Sequence, residues 1–192
     1  FDEFKKLKKD LASASFIVAA SDSQNKERAD YVADGIDDQV EIKAAIDALP
    51  DAGGRVVLLE GTYYINDQIL ISDLDNNNYV TLEGQGWGTI FKVPDGHSST
   101  MRIINVDGAA SPLTGIKIKN FRIDGNRANV TGTFYIGVGL SNVVDSVIEG
   151  VYLANGRGSG GDGYGYWLNK TTDITIKDCV GKDWDYEPME IR

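Results

Sequence analysis

The chain has 192 residues, 42% of them hydrophobic, with 22 Gly against 4 Pro, one Cys and a formal charge of −10. That length supports one substantial core, or one stack of about six turns of short strands. No apolar run approaches the roughly 20 residues that cross a bilayer; no basic stripe offsets the acidic charge for a nucleic acid or an anionic membrane; and a single Cys excludes an internal disulfide framework.

From Phe1 to about Ser13, Phe4, Leu7 and Leu11 recur at helical spacing with Lys on the other faces, which predicts a helix or linker over residues 1–15. It has no apolar stretch of the signal-peptide kind. Phe16-Ile17-Val18-Ala19-Ala20 reads as a strand, and Ser21 to Asp30 as a polar loop. A helix over about residues 37–49 follows. Asp38 and Glu41 have capping-box spacing, Ile42, Ala45, Ile46 and Leu49 form one apolar stripe, and Pro50 with Gly53-Gly54 stops it.

From Val57 onward one phrase recurs: alternate apolar residues, a turn residue, then another apolar position. Val57-Leu58-Leu59-Glu60-Gly61, Val80-Thr81-Leu82-Glu83-Gly84, Ile116-Lys117-Ile118-Lys119-Asn120-Phe121, Val147-Ile148-Glu149-Gly150-Val151 and Ile174-Thr175-Ile176-Lys177-Asp178-Cys179 all fit it. The spacings from Leu59 through Leu82, Ile118, Ile148 and Ile176 are 23, 36, 30 and 28 residues. Between Tyr135 and Ile176 two strand-like pieces recur together, since Gly137 to Gly165, Leu140 to Leu168 and Ile148 to Ile176 are each 28 residues apart. Period-2 alternation marks strands with one face buried. Strands this short cannot bury that face alone, so each turn must stack on the next, with loops lengthening outside the repeat. The pattern predicts an all-β solenoid, a parallel β-helix over residues 16–192 capped by the helix at 37–49. Cys179 falls in the slot held by Phe121 and Val151 and reads as a core thiol.

Ala33-Asp34-Gly35-Ile36-Asp37-Asp38, the helix from Glu41, Gly53-Gly54-Arg55-Val56-Val57-Leu58-Leu59-Glu60-Gly61-Thr62-Tyr63 and Leu82-Glu83-Gly84-Gln85-Gly86 resemble the opening of pectate-lyase-superfamily proteins. The resemblance runs from about Ala29 to Arg192. It implies a right-handed parallel β-helix with a capping helix ahead of its first turn. It leaves the reaction open, because the superfamily includes polysaccharide lyases, glycoside hydrolases, sugar epimerases and the tailspikes of phages. The closely spaced paired-Asp, Gly-His-Gly and Arg-x-Lys signatures of the polygalacturonase branch are absent, and His97 stands alone in a loop. Gly84-Gln85-Gly86 lacks the helix and the acidic residue of a dinucleotide site and reads as a corner between turns.

Register turns this sequence into a surface. If Leu140, Leu168 and Ile191 point inward, Gly139, Trp167 and Glu190 precede them outward, and Ser141, Asn169 and Arg192 follow. Trp167 beside Glu190 and Arg192 makes a sugar platform, with Asn169 as a further hydrogen-bonding group. The alternative is a Trp167 that merely covers the loop at residues 158–161. Asp183, Asp185 and Glu187, if extended, point the same way at intervals of about 7 Å. Such carboxylates could bind Ca²⁺, or two could serve as acid and base on a glycosidic bond; a solvated acidic turn is the plainer reading. A lyase would instead need a cation for a uronate carboxylate and a base for the α-proton, with Arg192 or Lys182 as the cation.

Met189-Glu190-Ile191-Arg192 reads as the first strand of a further turn, so the chain is expected to be a fragment of a longer solenoid or to be covered by another subunit. Two function classes stand at this point. One is an extracellular carbohydrate-active enzyme that binds and cleaves or epimerises a polysaccharide. The other is a noncatalytic structural or glycan-binding solenoid, such as a homotrimeric phage tailspike or a surface adhesin.

Overall fold

A computed structural model of the chain describes residues 15–75, 77–133, 135–158, 163–185 and 189–192. The helix expected over Phe1 to Ser13, and Glu187, lie outside these residues.

The described chain opens with β1 (Ser15–Ala19) and β2 (Tyr31–Val32), then α1 (Gln39–Asp47). Triplets of strands follow. The first is β3 (Gly54–Leu58), β4 (Gly61–Tyr64) and β5 (Ile69–Ser72), and the second is β6 (Val80–Gly84), β7 (Thr89–Lys92) and β8 (Met101–Asp107). The third is β9 (Leu113–Thr114) with β10 (Lys117–Lys119), then β11 (Arg122–Asp124) and β12 (Tyr135–Ser141). The fourth is β13 (Val143–Glu149), β14 (Tyr152–Ala154) and β15 (Tyr166–Asn169), and the fifth is β16 (Thr172–Lys177), β17 (Val180–Lys182) and β18 (Met189–Ile191).

Every triplet hands one strand to each of three sheets. The first runs β16-β13-β10-β6-β3-β1-β2 with β9 on β13, the second β17-β14-β11-β7-β4, and the third β18-β15-β12-β8-β5. The registered pairs, such as Ile118↔Ile148, Ile123↔Leu153 and Leu140↔Leu168, are parallel. This is the parallel β-helix that the repeated phrase predicts. The described residues make five turns rather than about six, because the segment before β3 adds strands to the first sheet only and then closes the stack's end with α1. Ile42, Ala45 and Ile46 of that helix are buried in the same core as the strands.

Inward columns run the length of the stack: Val56–Leu82–Ile118–Ile148–Ile176 in the first sheet, Tyr63–Phe91–Ile123–Leu153 in the second, and Ile71–Val106–Leu140–Leu168–Ile191 in the third. Leu82 therefore stands on Val56 and not on Leu59, as its spacing suggested. The run Val56-Val57-Leu58-Leu59 has no alternation to set its phase, so spacing alone chose the wrong partner. Corners explain the turn residue of the phrase. Asn120, Gly150 and Asp178 all adopt left-handed backbone between the first and second sheets, with φ of 59°, 65° and 54°. Gly and Asx residues reach this region at low cost.

The expected capping box on α1 does not form. Asp38 makes no cap hydrogen bond to the helix; its buried carboxylate accepts from the backbone N–H groups of Gly35 and Tyr64, both at 2.7 Å, and ties the loop to β4. Burial pushes this carboxyl up, partly offset by those two bonds.

The outward face of the first sheet carries an ion ladder. Glu149 meets Lys119 at 3.0 Å and Lys177 at 2.9 Å, one turn to either side, and Arg55 meets Glu83 at 2.9 Å. Lys119, Glu149 and Lys177 lie directly across adjacent strands, and such opposite-charge pairs favour this register over a slipped one, while Arg55 reaches Glu83 on the diagonal. Hydrogen bonds from Lys177 and then Lys119 hold the Glu149 carboxyl below the usual Glu range. Its folded value therefore lies below its unfolded one, so its contribution is present at neutral pH and is lost as pH falls below about 4.3. Glu149→Gln is expected to flatten that part of the melting temperature against pH; an unchanged acid slope would show the ladder contributes nothing.

Candidate functional site

The outer face of the third sheet owes its chemistry to a stacked break in alternation. In β8 both Ile103 and Ile104 are buried in the core, so the residue before them, Arg102, points outward, as does Asn105 after them. The same step recurs one turn on, where Tyr135 and Val138 are core residues and Ile136 packs outside with Tyr164 and Trp167. Two in-register positions, Gly137 and Gly165, occupy the break. A Cβ at Gly137 would lie 2.7 Å from Gly165 O and 2.9 Å from a methyl of Leu153. Breaks of this kind re-aim side chains beside functional sites. Gly137→Ala is expected to cost about 1–3 kcal/mol of stability in urea unfolding, through this crowding.

Two outward columns result. One is Arg102–Ile136–Tyr164, and the other is Asn105–Gly139–Trp167–Glu190. Between them, with Arg192, opens a pocket of about 310 Å³ whose wall also includes Thr100 and Met101. The Arg102 guanidinium carbon lies 4.3 Å from the centroid of the Trp167 ring, a cation–π contact. Its path crosses Gly139, where a Cβ would come within 2.9 Å of Arg102 Cδ. Arg102 Nη1 donates to Asn105 Oδ1 at 3.0 Å, and Asn105 Nδ2 donates to Gln68 Oε1 at 2.9 Å. Among the described residues the hydrogen-bond partner of Arg102 is thus a neutral amide rather than a carboxylate. Burial pushes this guanidinium's pKa down, with Asp107 opposing.

At the other end of the pocket, Arg192 Nε donates to Glu190 Oε1 at 2.7 Å. Glu190 Oε2 is buried and has no hydrogen-bond partner among the described residues. The Tyr164 phenol interacts with both groups; burial, then the Glu190 carboxylate, pushes it up, while Glu190 and Tyr164 hold Arg192 up. The pocket therefore presents one phenol and two guanidinium groups against an indole, with the Glu190 carboxylate beside it on Arg192.

No family model matches the chain. Mannuronan C5-epimerase AlgE4 of Azotobacter vinelandii is 31% identical over 161 residues, which are 78% of this chain and 28% of the relative. AlgE1 of the same organism is 34% identical over 166 residues, 78% of this chain and 11% of the relative. The A-module structures of Azotobacter vinelandii AlgE4 and AlgE6 superpose with TM-scores of 0.57 and 0.59, at 23% and 24% identity, over 78% and 77% of this chain and 47% of each module.

The chain is similar to mannuronan C5-epimerases. The two epimerase modules share its parallel β-helix, and the chain spans little more than a quarter of AlgE4.

Within this epimerase-like fold the residues singled out from sequence divide into two places. Trp167 and Arg192 line the pocket, and Glu190, in register with Trp167 and hydrogen-bonded to Arg192, stands beside it. Asn169 stands one position past Trp167's neighbour Leu168, in the column Ser72–Asp107–Ser141–Asn169 beside it. Trp167 is only 9% exposed, so Arg102, Ile136 and Tyr164 enclose an indole that sequence placed on an open platform. Asp183 and Asp185 do not line the pocket. Asp183 has φ of 54°, so the segment is not extended there and the same-side alternation fails at its first member. Asp185 pairs with Arg127 from the third turn. Glu187 lies outside the described residues. Among the described residues no group of three His, Cys, Asp or Glu side chains is placed to hold a metal ion. No helix among them is long and apolar enough to cross a membrane. His97 is in a loop as expected, but it is buried, with Nδ1 2.9 Å from Tyr135 Oη and Nε2 3.1 Å from Asn66 O. Arg102 and Tyr164 were not found from sequence, because simple alternation from Ile104 and Tyr166 turns both inward.

Proposed function

We propose that the chain binds an acidic polysaccharide along the outer face of its third sheet and epimerises a uronate residue at C5 in the pocket between Arg102, Trp167, Glu190 and Arg192. The observation that carries this reading is the buried Glu190 oxygen without a hydrogen-bond partner among the described residues, on a carboxylate that meets Arg192 and Tyr164 beside the pocket. Epimerisation at C5 breaks a C–H bond next to a carboxylate and remakes it from the opposite face. A guanidinium on that carboxylate stabilises the electron pair left on it when the proton departs. Glu190 Oε2 takes the proton, and the Tyr164 hydroxyl, kept protonated by its surroundings, returns one to the other face. If the electron pair instead expels the oxygen at C4, the same groups give a lyase. A hydrolase needs two carboxylates flanking the bond, and among the described residues no carboxylate lines the pocket itself, Glu190 reaching it through its hydrogen bond to Arg192. The similarity to mannuronan C5-epimerases supports the uronate and the C5 chemistry. A polysaccharide substrate supports an extracellular site of action.

The test is to incubate the full-length protein with mannuronan in D₂O. Deuterium at C5 of the product, without ultraviolet-absorbing unsaturated ends or new reducing ends, is the expected result. Unsaturated ends would make it a lyase. Binding without exchange or cleavage would leave a noncatalytic glycan-binding solenoid.

A further inference from the structure

On another face, the second sheet carries a rigid aromatic surface that the pocket does not use. Trp87 sits on the corner Gly86-Trp87-Gly88 and is 53% exposed. Its indole N–H donates to Gly150 O, two turns along, at 3.2 Å. Its ring packs on Tyr152 with centroids 4.8 Å apart and planes at 50°, and Arg122 lies 5.7 Å from the Tyr152 centroid on the same column. A large apolar ring is thus held by a hydrogen bond and a stacking partner, while its flanking glycines contribute no side chain to shield it. Covering the corner does not require so much of the indole to face water.

The geometry points to a second glycan-contact site, Trp87 with Tyr152, that stacks the C–H face of a pyranose from a polysaccharide chain. Three features select a sugar. The cation of this column is already paired, Arg122 with Asp124 at 2.8 Å, so the contact is made by stacking on the C–H face of the sugar and not through its carboxylate. The apolar surface is one ring with Tyr152 and Val180 beside it, far short of the roughly 800 Å² a side that a stable protein interface buries. A flat, rigid aromatic with its polar atom satisfied matches the apolar face of a sugar ring, which needs stacking and no hydrogen bond from the indole. This inference rests on the polysaccharide reading above, and it adds a contact on a different sheet from the reacting one. Two contacts on one solenoid would raise retention on long or gel-forming polymer without changing turnover in the pocket.

The experiment uses full-length protein, a Trp87→Ala variant and mannuronan oligosaccharides as the probe. Of the three Trp residues, Trp87 is the most exposed, so acrylamide quenches it preferentially, and bound sugar is expected to about halve that quenching. Calorimetry should find two sites in the wild type and one in Trp87→Ala, with apparent affinity for long polymer down about tenfold. A Trp87→Phe chain, which keeps the stacking ring, should restore most of it. One site in the wild type with Trp87 still fully quenched overturns this inference and leaves the pocket standing. No binding at any site overturns both.

Discussion

A Glu190→Gln chain is expected to turn over mannuronan at least about a hundredfold more slowly, the usual contribution of one acid–base group. Its KM should not rise. The amide cannot take the C5 proton, yet Arg102, Trp167 and Arg192 remain, and Arg192 is released from the ion pair with Glu190 that now shares its charge. Arg102→Met should give the opposite split, a raised KM with a smaller fall in kcat, since it removes a cation and leaves the proton relay in place. Both are read by steady-state kinetics on defined oligosaccharides. A fall in kcat with Arg102→Met as deep as that with Glu190→Gln would place the reacting carbon nearer Arg102 than the argument requires.

Phe91→Ala should have the largest effect on stability, a loss of about 3–5 kcal/mol. Phe91 is fully buried in the second sheet, with Tyr63 edge-on at 5.9 Å and Phe121 at 4.8 Å between centroids. Alanine would leave a gap between two rings that the strand register holds apart, so the site cannot collapse around it. In a stack whose turns contact only their neighbours, the damage should stay local. Hydrogen exchange is expected to quicken in the first three turns and to change least in the fifth. Uniform loss of protection would mean that the stack unfolds as one unit.

Particular residues show how far the sequence could be read. The 28-residue recurrence between Tyr135 and Ile176 set the pairing of Leu140 with Leu168 and Ile148 with Ile176, because alternation inside each phrase was clean and the turn residue marked its end. The same reading slipped at Leu59, inside an unbroken apolar run. At the site it put Trp167, Glu190 and Arg192 on one face and left out Arg102 and Tyr164. Those two depend on the doubled inward position at Ile103-Ile104 and on its repeat through Gly137 and Gly165, which reverses the parity of everything before it. Consecutive apolar residues, matched one and two turns later by glycines at the repeat distance, were the available signal. Asp183 and Asp185 misled because their alternate spacing assumed extended backbone, while a left-handed residue at Asp183 ends the strand.

The stacked break also separates recognition from scaffold. Each turn contributes one residue to each outward column, while the inward columns and corners close the turn independently of what that residue is. Exchanging Ile136 changes the lining of one step and leaves the turns on either side closed as they were, whereas a side chain at Gly139 would displace Arg102. Inserting a whole turn would lengthen the face by one strand spacing, about 4.8 Å, and slide the two guanidinium groups apart by the same amount. A fold built in this way can measure a polymer, setting by the number of turns between Arg102 and Arg192 how far along the chain its two anionic contacts must fall.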